Sequence, residues 1–307
     1  MTEATHRTVE TNGIRMHLAK QVTGPLVLLC HGFPESWFRS ATSCAAWPKP
    51  DLTRCRRTCE AMARPTSRRR PTNTRCCTWS ATWSGCSMCW APKRRSSPAM
   101  IGVPLWRGSR HCCGPTASAA TVMPQTDDTI FYQLYLQAPG VAEADYERDV
   151  RLTLGLILYW HSGDAPRRAD NARPRHMVPR QGGVFTHASN LPPLPAWLSE
   201  TDLDFFAAEF GRTGFRGGLN YYRNIDRNWE LLAPFAGARV TVPALFLAGE
   251  RDPVLAHPGM QTAILDQSTL VPQLGGTIML PGCGHWIQQE RPAEVTAAMI
   301  DFIRGLT

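Results

Sequence analysis

Three short apolar runs along the chain predict the strands of a buried sheet. They span residues 26–30, 243–248 and 277–280. Unbroken apolar runs of this length are typical of parallel strands that are covered on both faces. The pair Asn12-Gly13 lies between two short strand-like segments and predicts a β-hairpin ahead of the first run. The sequence therefore predicts an α/β fold with a mostly parallel sheet.

Helical patterns fill the middle and the end of the chain. Residues 141–160 are predicted to form one helix, whereas residues 161–197, which are rich in Pro, Arg and Gly, are predicted to be loop. Ser199, with an acid at the third position after it, predicts the start of another helix. Residues 211–218 are predicted to end that helix, and Pro292 suits the first position of the last one.

These patterns divide the chain into three parts. Residues 1–121 and 233–307 carry the predicted strands and are interpreted as the two halves of one α/β core. Residues 122–232 are mainly helical between them and are predicted to form an inserted helical cap. At 307 residues, the chain is long enough for one such domain with an insertion.

Composition changes abruptly between residues 41 and 121. Arg and Lys greatly outnumber the two acids in this segment, although the whole chain has a net charge of only +8. Of the 11 cysteines, only Cys30 and Cys283 lie outside it. The segment has neither helical nor strand periodicity, so we expect it to be disordered or misassembled.

Two polar loops follow predicted strands near the carboxyl end. Asp252 comes shortly after the strand at 243–248, and His285 follows the strand at 277–280 on a loop flanked by glycines. The carboxyl edge of an open α/β sheet is where catalytic groups are held by rigid strands. An acid followed by a later histidine is the order in which two members of a hydrolase triad occur. Alone, His285 would be a loop histidine that caps a helix.

The segment after the first strand, HGFPESW at residues 31–37, has the composition of a sharp turn. A glycine beside a Phe-Pro bond lets the backbone turn and point an amide inward. The amide of Phe33 is therefore a candidate donor of an oxyanion hole. The alternative is an ordinary turn at the end of a strand.

At this point the chain resembles the epoxide hydrolases of the α/β-hydrolase superfamily. The resemblance rests on HGFPESW, YQLYLQAPGVAEA, GFRGGLNYYRN, AGERDPV and GCGHW, which occur in the family's order. It covers residues 1–40 and about 122–307. It implies an α/β-hydrolase core with a helical cap, and an enzyme that opens epoxides, as in detoxification.

The family's mechanism, by resemblance, assigns roles to six residues. A carboxylate opens the epoxide and forms an ester, and His285, oriented by Asp252, activates the water that hydrolyses it. Tyr132 and Tyr222 would donate hydrogen bonds to the epoxide oxygen. Phe33 would supply an oxyanion donor, with His31 as its structural support. Each tyrosine alone could equally be a packing residue of an amphipathic helix.

The carboxylate nucleophile itself is absent from the chain. The family's DMRGYG loop and its nucleophile elbow HDWG do not occur between residues 41 and 121. Met is encoded only by ATG and every Ile codon begins with AT, so a frame shifted by one base gives Asp across the Met100/Ile101 boundary. With permitted codons this frame restores His-Asp-Trp-Gly there and Asp-Met-Arg-Gly-Tyr-Gly around Met62. We infer a frameshift near Ser40 that is reversed near residues 119–121, and a chain that is inactive as written.

Three other functions compete with this interpretation. A haloalkane dehalogenase shares the fold and the ester chemistry, but it holds its halide mainly with tryptophan rather than with two tyrosines. A zinc site is suggested by Cys86 and Cys89, with Cys76-Cys77 and His111-Cys112-Cys113 nearby, although their spacing is irregular. Nucleic-acid binding is suggested by a pI of about 9.1, but the basic residues are confined to the unpatterned segment.

The remaining expectations concern partners and location. No run of 18 apolar residues predicts a membrane span, and the first residues lack the apolar core of a signal peptide, so we expect a cytoplasmic protein. The expected partners are water and a small lipophilic epoxide, and not nucleic acid. The resemblance calls for neither a metal nor an organic cofactor, and it allows a homodimer.

Overall fold

The computed structural model describes residues 5–11, 14–21, 26–39, 53–58, 87–90, 99–101, 123–167, 176–185, 190–235, 237–257 and 259–306. In these residues one sheet has the strand order β1-β2-β4-β3-β5-β6-β9-β10, and a small second sheet pairs β7 with β8. The strands are β1 (Thr5–Thr11), β2 (Ile14–Gln21), β3 (Leu26–Cys30), β4 (Thr53–Thr58), β5 (Ser87–Trp90), β6 (Ala99–Ile101), β7 (Thr129–Phe131), β8 (Met177–Pro179), β9 (Ala244–Gly249) and β10 (Leu274–Leu280).

The helices of the described residues lie mainly between β7 and β9, and after β9. They are α1 (Tyr132–Gln137), α2 (Val141–Tyr146), α3 (Val150–Trp160), α4 (Glu200–Thr213), α5 (Arg216–Arg223), α6 (Ile225–Leu232), α7 (Met260–Leu265), α8 (Gln267–Leu270), α9 (Ile287–Glu290) and α10 (Pro292–Arg304). Short 3-10 turns occupy Trp37–Arg39, Ala233–Phe235 and Pro253–Ala256. The α/β fold is confirmed, while the domain boundaries stay a prediction.

The strands confirm the predicted hairpin, but their directions in the sheet differ from the prediction. Thr11 pairs with Ile14 across the hairpin, and all of β9 is buried. Among the described strands of the larger sheet, three pairings are parallel and four are antiparallel, so this sheet is mixed rather than mostly parallel. In the described strand order β10 lies at one edge of the sheet, and only Leu280 of that strand is fully buried.

Three short strands, β4, β5 and β6, come from the segment that we expected to be disordered. Sheet pairing uses backbone N–H and C=O groups, which every segment carries, so it does not require an alternating side-chain pattern. β5 runs antiparallel to both β3 and β6. The rest of residues 41–121 lies outside the described residues, and the expectation of disorder for it stays a prediction.

Helix ends differ from the predicted ones where a side chain or a glycine intervenes. The predicted helix at 141–160 is two helices, because Asp149 caps the second one by accepting the Leu152 N–H at 2.9 Å. Ser199 caps α4 as expected, and the side chain of Asp202 accepts the Ser199 N–H in return. The break after α4 is confined to Gly214 and Phe215, since Gly214 has a φ of 68°. The predicted loop at 161–197 contains β8.

Two of the hydrophobic clusters among the described residues connect the strands and helices. One packs β9 and β10 against α10 through Leu245, Leu247 and Val295. The other fills the helical region around Leu154 and Phe215, and Trp286 from the loop after β10 inserts into it. Pro292 begins α10 as predicted. Within the residues that the structure describes, no helix combines the length and apolar character that a membrane span requires.

Candidate active site

Asp252 and His285 meet at one edge of the sheet. β9 and β10 are parallel, with Gly249 opposite Leu280, so the loops after them leave in the same direction. The His285 Nδ1 lies 2.9 Å from both Oδ1 and Oδ2 of Asp252. Both side chains are nearly buried, with exposed fractions of 7% and 12% respectively. Because a carboxylate only accepts, Nδ1 donates its proton to Asp252, and Nε2 is the ring nitrogen left to exchange a proton with a substrate or water.

The surroundings of Asp252 keep it ionised. Burial by itself raises the pKa of Asp252. Its electrostatic interaction and hydrogen bond with His285, together with the hydrogen bond from the Val254 N–H, outweigh burial, so the pKa lies below its usual value. The Val254 N–H donates to Oδ1 at 2.8 Å, in the first turn of the 3-10 segment Pro253–Ala256. The acid is therefore fixed by its own backbone as well as by the histidine.

The acid loop and the histidine loop pack directly against each other. Arg251 N–H donates to Cys283 O at 2.8 Å, and His285 N–H donates to His161 O at 2.8 Å. A Cβ added at Gly249 would lie 2.1 Å from the carbonyl oxygen of Gly284. Glycine is therefore needed at the end of β9 because another backbone occupies the space that a side chain would take.

The turn after β3 is held by its own polar groups. Gly32 N–H donates to Glu35 Oε2 at 2.8 Å, and the second oxygen of Glu35 accepts Gln288 Nε2–H at 3.0 Å. His31 Nδ1 lies 2.9 Å from Gly32 O, so it donates there. The Phe33-Pro34 peptide is cis. The sequence pattern assigned no role to Glu35, whose two contacts depend on the folded turn and on Gln288.

Tyr132 and Tyr222 lie side by side in the helical region, opposite Phe33. Their ring centroids are 6.1 Å apart, and the Tyr222 ring is also 6.1 Å from that of Phe33. Burial raises the pKa of both phenols, and the nearby charges of Tyr222 and Asp252 raise that of Tyr132 further. Both groups therefore keep their protons at neutral pH. Tyr135, in contrast, donates to Asp145 at 3.1 Å, which is a structural contact.

No pattern in the sequence predicted the group of histidines that lies near Asp252. The His257 ring packs 5.6 Å from Tyr132 and 5.1 Å from His176, and it comes directly after the 3-10 turn that follows Asp252. The His161 ring is 5.9 Å from His285. Burial lowers the pKa of His257 to about 3, and the charge of His176 adds to this effect while that of Asp252 opposes it. His257 is therefore neutral in the folded chain over the physiological range.

This burial predicts that acid destabilises the fold through His257. Between pH ~6.5 and ~3, His257 binds a proton in the unfolded chain but not in the folded one, so the free energy of unfolding falls as pH falls, by up to about 1.4 kcal/mol per pH unit from this residue. We expect His257→Gln to flatten urea-derived stability against pH in this range. His6→Gln, at an exposed strand position, is the control. Equal slopes in both variants and the parent would refute the prediction.

For two predicted features the structure describes no side chains. The expected nucleophile position, Met100/Ile101, lies in β6, of which only the backbone is described, and Met100 pairs there with Ala244 of β9. The cysteines proposed for zinc lie outside the described residues or in β5, whose side chains are not described. Among the described residues, no group of three His, Cys, Asp or Glu side chains could hold a metal ion.

Comparisons with known proteins point to one family. No protein-family model matches the chain. Epoxide hydrolase A of Mycobacterium tuberculosis is 33% identical over 98% of this chain and 98% of that protein. Epoxide hydrolase 2 of Siraitia grosvenorii is also 33% identical, with 99% of each chain covered.

Solved structures that are similar to this chain are also named epoxide hydrolases. An epoxide hydrolase from an endophytic Streptomyces has a TM-score of 0.77 at 33% identity, covering 100% of this chain and 97% of that one. An epoxide hydrolase of Vigna radiata has a TM-score of 0.78 at 26% identity and covers 99% of both chains. None of these names favours a dehalogenase, a zinc protein or a nucleic-acid-binding protein. With a paired acid and histidine at the sheet edge and nearly full-length relatives of one name, the chain belongs to the epoxide hydrolases of the α/β-hydrolase superfamily.

Proposed function

We propose that this site is built to hydrolyse a small lipophilic epoxide to a vicinal diol through an aspartyl-ester intermediate. We further propose that the chain as written cannot complete this reaction, because no carboxylate stands at the Met100/Ile101 boundary. The observation that carries the proposal is the buried His285–Asp252 pair, with 2.9 Å between Nδ1 and both carboxylate oxygens. The curated relatives are named epoxide hydrolases.

His285 acts in the second half of the reaction. In the first half, a carboxylate oxygen attacks an epoxide carbon, the C–O bond breaks, and an ester and an alkoxide form. In the second, His285 Nε2 takes a proton from water, and the resulting hydroxide attacks the ester carbonyl. The alkoxide takes a proton from a tyrosine phenol, the acyl C–O bond of the ester breaks, and the imidazolium returns its proton to the departing oxygen, so that the diol leaves. The carboxylic acid that remains gives its proton through solvent to the tyrosinate, which restores both the carboxylate and the phenol. Asp252 remains ionised throughout and stabilises the imidazolium, in keeping with its lowered pKa.

Tyr132 and Tyr222 act in the first half. Their neighbouring rings, 6.1 Å apart, suit two phenols that donate to one epoxide oxygen. A donor must carry its proton until negative charge develops, and the raised pKa of both phenols keeps them protonated. This pair favours an epoxide over a haloalkane, since a leaving halide needs no protonation.

Phe33 acts through its backbone in the second half. Its amide would donate to the oxygen of the ester carbonyl as the tetrahedral intermediate forms. His31 and Glu35 hold the preceding glycine by its carbonyl and its N–H respectively, which supports a fixed turn. The second donor in the family belongs to the residue after the nucleophile, and that donor is missing with it.

A frameshift would explain why the nucleophile and the other motifs of residues 41–121 are missing while the remaining motifs of the family are present. The five motifs that carry the other roles are all outside residues 41–121, and the shifted frame would place the lost aspartate at Met100/Ile101. That boundary lies on β6, which runs parallel to β9, and Met100 pairs with Ala244 at the start of β9, whereas Asp252 follows the carboxyl end of β9. A cytoplasmic location, a role in detoxification and a homodimer stay predictions.

An epoxide-hydrolysis assay of the purified chain, paired with sequencing of its coding DNA across codons 35–125, tests the proposal. We expect no more diol from the chain as written than from its His285→Gln variant, because neither can form the ester. Diol formation that depends on His285 in the unaltered chain would contradict the proposed loss of the nucleophile.

A further inference from the structure

Glu290, at the end of α9, binds three backbone N–H groups with one carboxylate. Its Oε2 accepts Gly163 N–H and Gly284 N–H, both at 2.8 Å. Its Oε1 accepts Trp286 N–H at 3.0 Å. Hydrogen bonds to an ionised acceptor are roughly twice as strong as neutral ones. This number of bonds on a single half-buried side chain indicates that Glu290 fixes the backbone around it.

The three bonds join two segments that are distant in the sequence. Gly284 and Trp286 are the residues on either side of His285, and Gly163 lies in the turn after α3. Glu290 therefore holds the histidine loop on both sides of the proposed base and ties it to the end of a helix of the helical region. Its carboxylate makes these contacts without touching the imidazole ring in any of them.

Two further hydrogen bonds hold the histidine loop in the same place. His285 N–H donates to His161 O at 2.8 Å, and Trp286 Nε1–H donates to Leu158 O at 2.8 Å. Together with Glu290, these bonds fix the backbone N–H groups of three consecutive residues, from Gly284 to Trp286. The histidine loop is thus held by α3 and by Glu290, rather than only by the strand that precedes it.

Two glycines let the segments approach this closely. A Cβ added at Gly163 would lie 2.0 Å from Gly282 O, and one added at Gly284 would lie 2.3 Å from the carbonyl carbon of Ser162. Real Cβ atoms do not approach other atoms so closely, so any side chain here would push the loop away from α3. Gly284, the residue before His285, is therefore explained by its close contact with the turn after α3.

We propose that Glu290 is a positioning residue for His285, which acts by clamping the backbone on both sides of it. This inference rests on the proposed function, because it gives His285 the role of base. The imidazole needs its Nδ1 within hydrogen-bond distance of Asp252 so that Nε2 points at the attacking water. A shift of about 1 Å in the loop would break such a bond, and Glu290 is the side chain that prevents the shift.

The downfield proton resonance of His285 Nδ1 in the full chain tests this role without any turnover. A proton held between an imidazole and a buried carboxylate resonates far downfield and is protected from exchange, and its loss in Asp252→Ala assigns it. We expect this resonance to shift upfield or broaden in Glu290→Gln, and to disappear in Glu290→Ala. Glu294→Gln removes the same charge four residues away, from a side chain that is 55% exposed and 3.9 Å from Arg291, and should leave the resonance unchanged.

Folding is followed in the same samples by circular dichroism and urea unfolding. A purely structural Glu290 would lower the urea midpoint while the resonance of the near-isosteric Glu290→Gln variant kept its position, and that result would overturn the proposal. Absence of the resonance in the unmodified chain would overturn it too. Neither outcome depends on the missing nucleophile, so a failure of the proposed reaction would leave this test unaffected.

Discussion

Restoring the reading frame between about residues 41 and 120 should raise epoxide hydrolysis at least about 10⁴-fold over the chain as written. The restored gene encodes an aspartate across the Met100/Ile101 boundary, which would supply the missing nucleophile. His285, Asp252, Tyr132 and Tyr222 lie outside the altered segment and are unchanged. The gain is large because the ester route has no substitute for its nucleophile.

The measurement is diol formation from a small aryl epoxide by both chains at equal concentration. The control is the restored chain with its new aspartate changed to asparagine, which has almost the same volume and the restored segment but no nucleophilic carboxylate. We expect this control to be as inactive as the chain as written. If the restored chain folds cooperatively and still gives no diol, the assignment of the nucleophile to this boundary is wrong.

In the frame-restored chain, His285→Gln is expected to accumulate the ester instead of the diol. Attack of the carboxylate on the epoxide does not use the histidine, whereas hydrolysis of the ester needs a base. The steady-state rate should fall about 10²–10⁴-fold, which is the usual contribution of a general base. About one equivalent of ester should form per chain, because the first step still proceeds.

Intact-mass measurement after addition of the epoxide shows the ester as a mass increase equal to that of the substrate. His6→Gln in the same background is the matched control, since His6 is an exposed strand residue, and it should show full turnover without accumulation. If His285→Gln abolishes both diol and ester, His285 acts in the first step or in folding, and its proposed role as the base for hydrolysis is incorrect.

Local features of the fold could be predicted wherever a residue acts on its own backbone. The hairpin at Asn12-Gly13, the cap at Ser199 and the helix start at Pro292 depend on conformations that are set within a few residues, and the structure confirms all three. The division of residues 141–160 into two helices has the same kind of cause, a cap at Asp149. It was missed because the apolar pattern continues through it.

The pairing of Asp252 with His285 could be expected for a related reason. Each residue follows an apolar strand, and parallel neighbours bring the ends of their strands to one edge. The sequence could not decide that β9 and β10 are neighbours, nor that the two side chains lie 2.9 Å apart. It also predicted a fully buried last strand, whereas β10 is at the edge and is covered over only part of its length.

By itself, the sequence determined the order of the family's motifs, the family resemblance and the absence of the motif HDWG, because these depend only on which residues are present. Tertiary structure alone decided the contacts of His257 and Glu290. The His257 ring contacts the ring of Tyr132, which lies 125 positions earlier in the sequence. The Glu290 carboxylate accepts the Gly163 N–H across a separation of 127 residues. Such contacts form when elements that are distant in the sequence pack against each other. A local sequence pattern cannot predict which backbone N–H group or ring a side chain will contact.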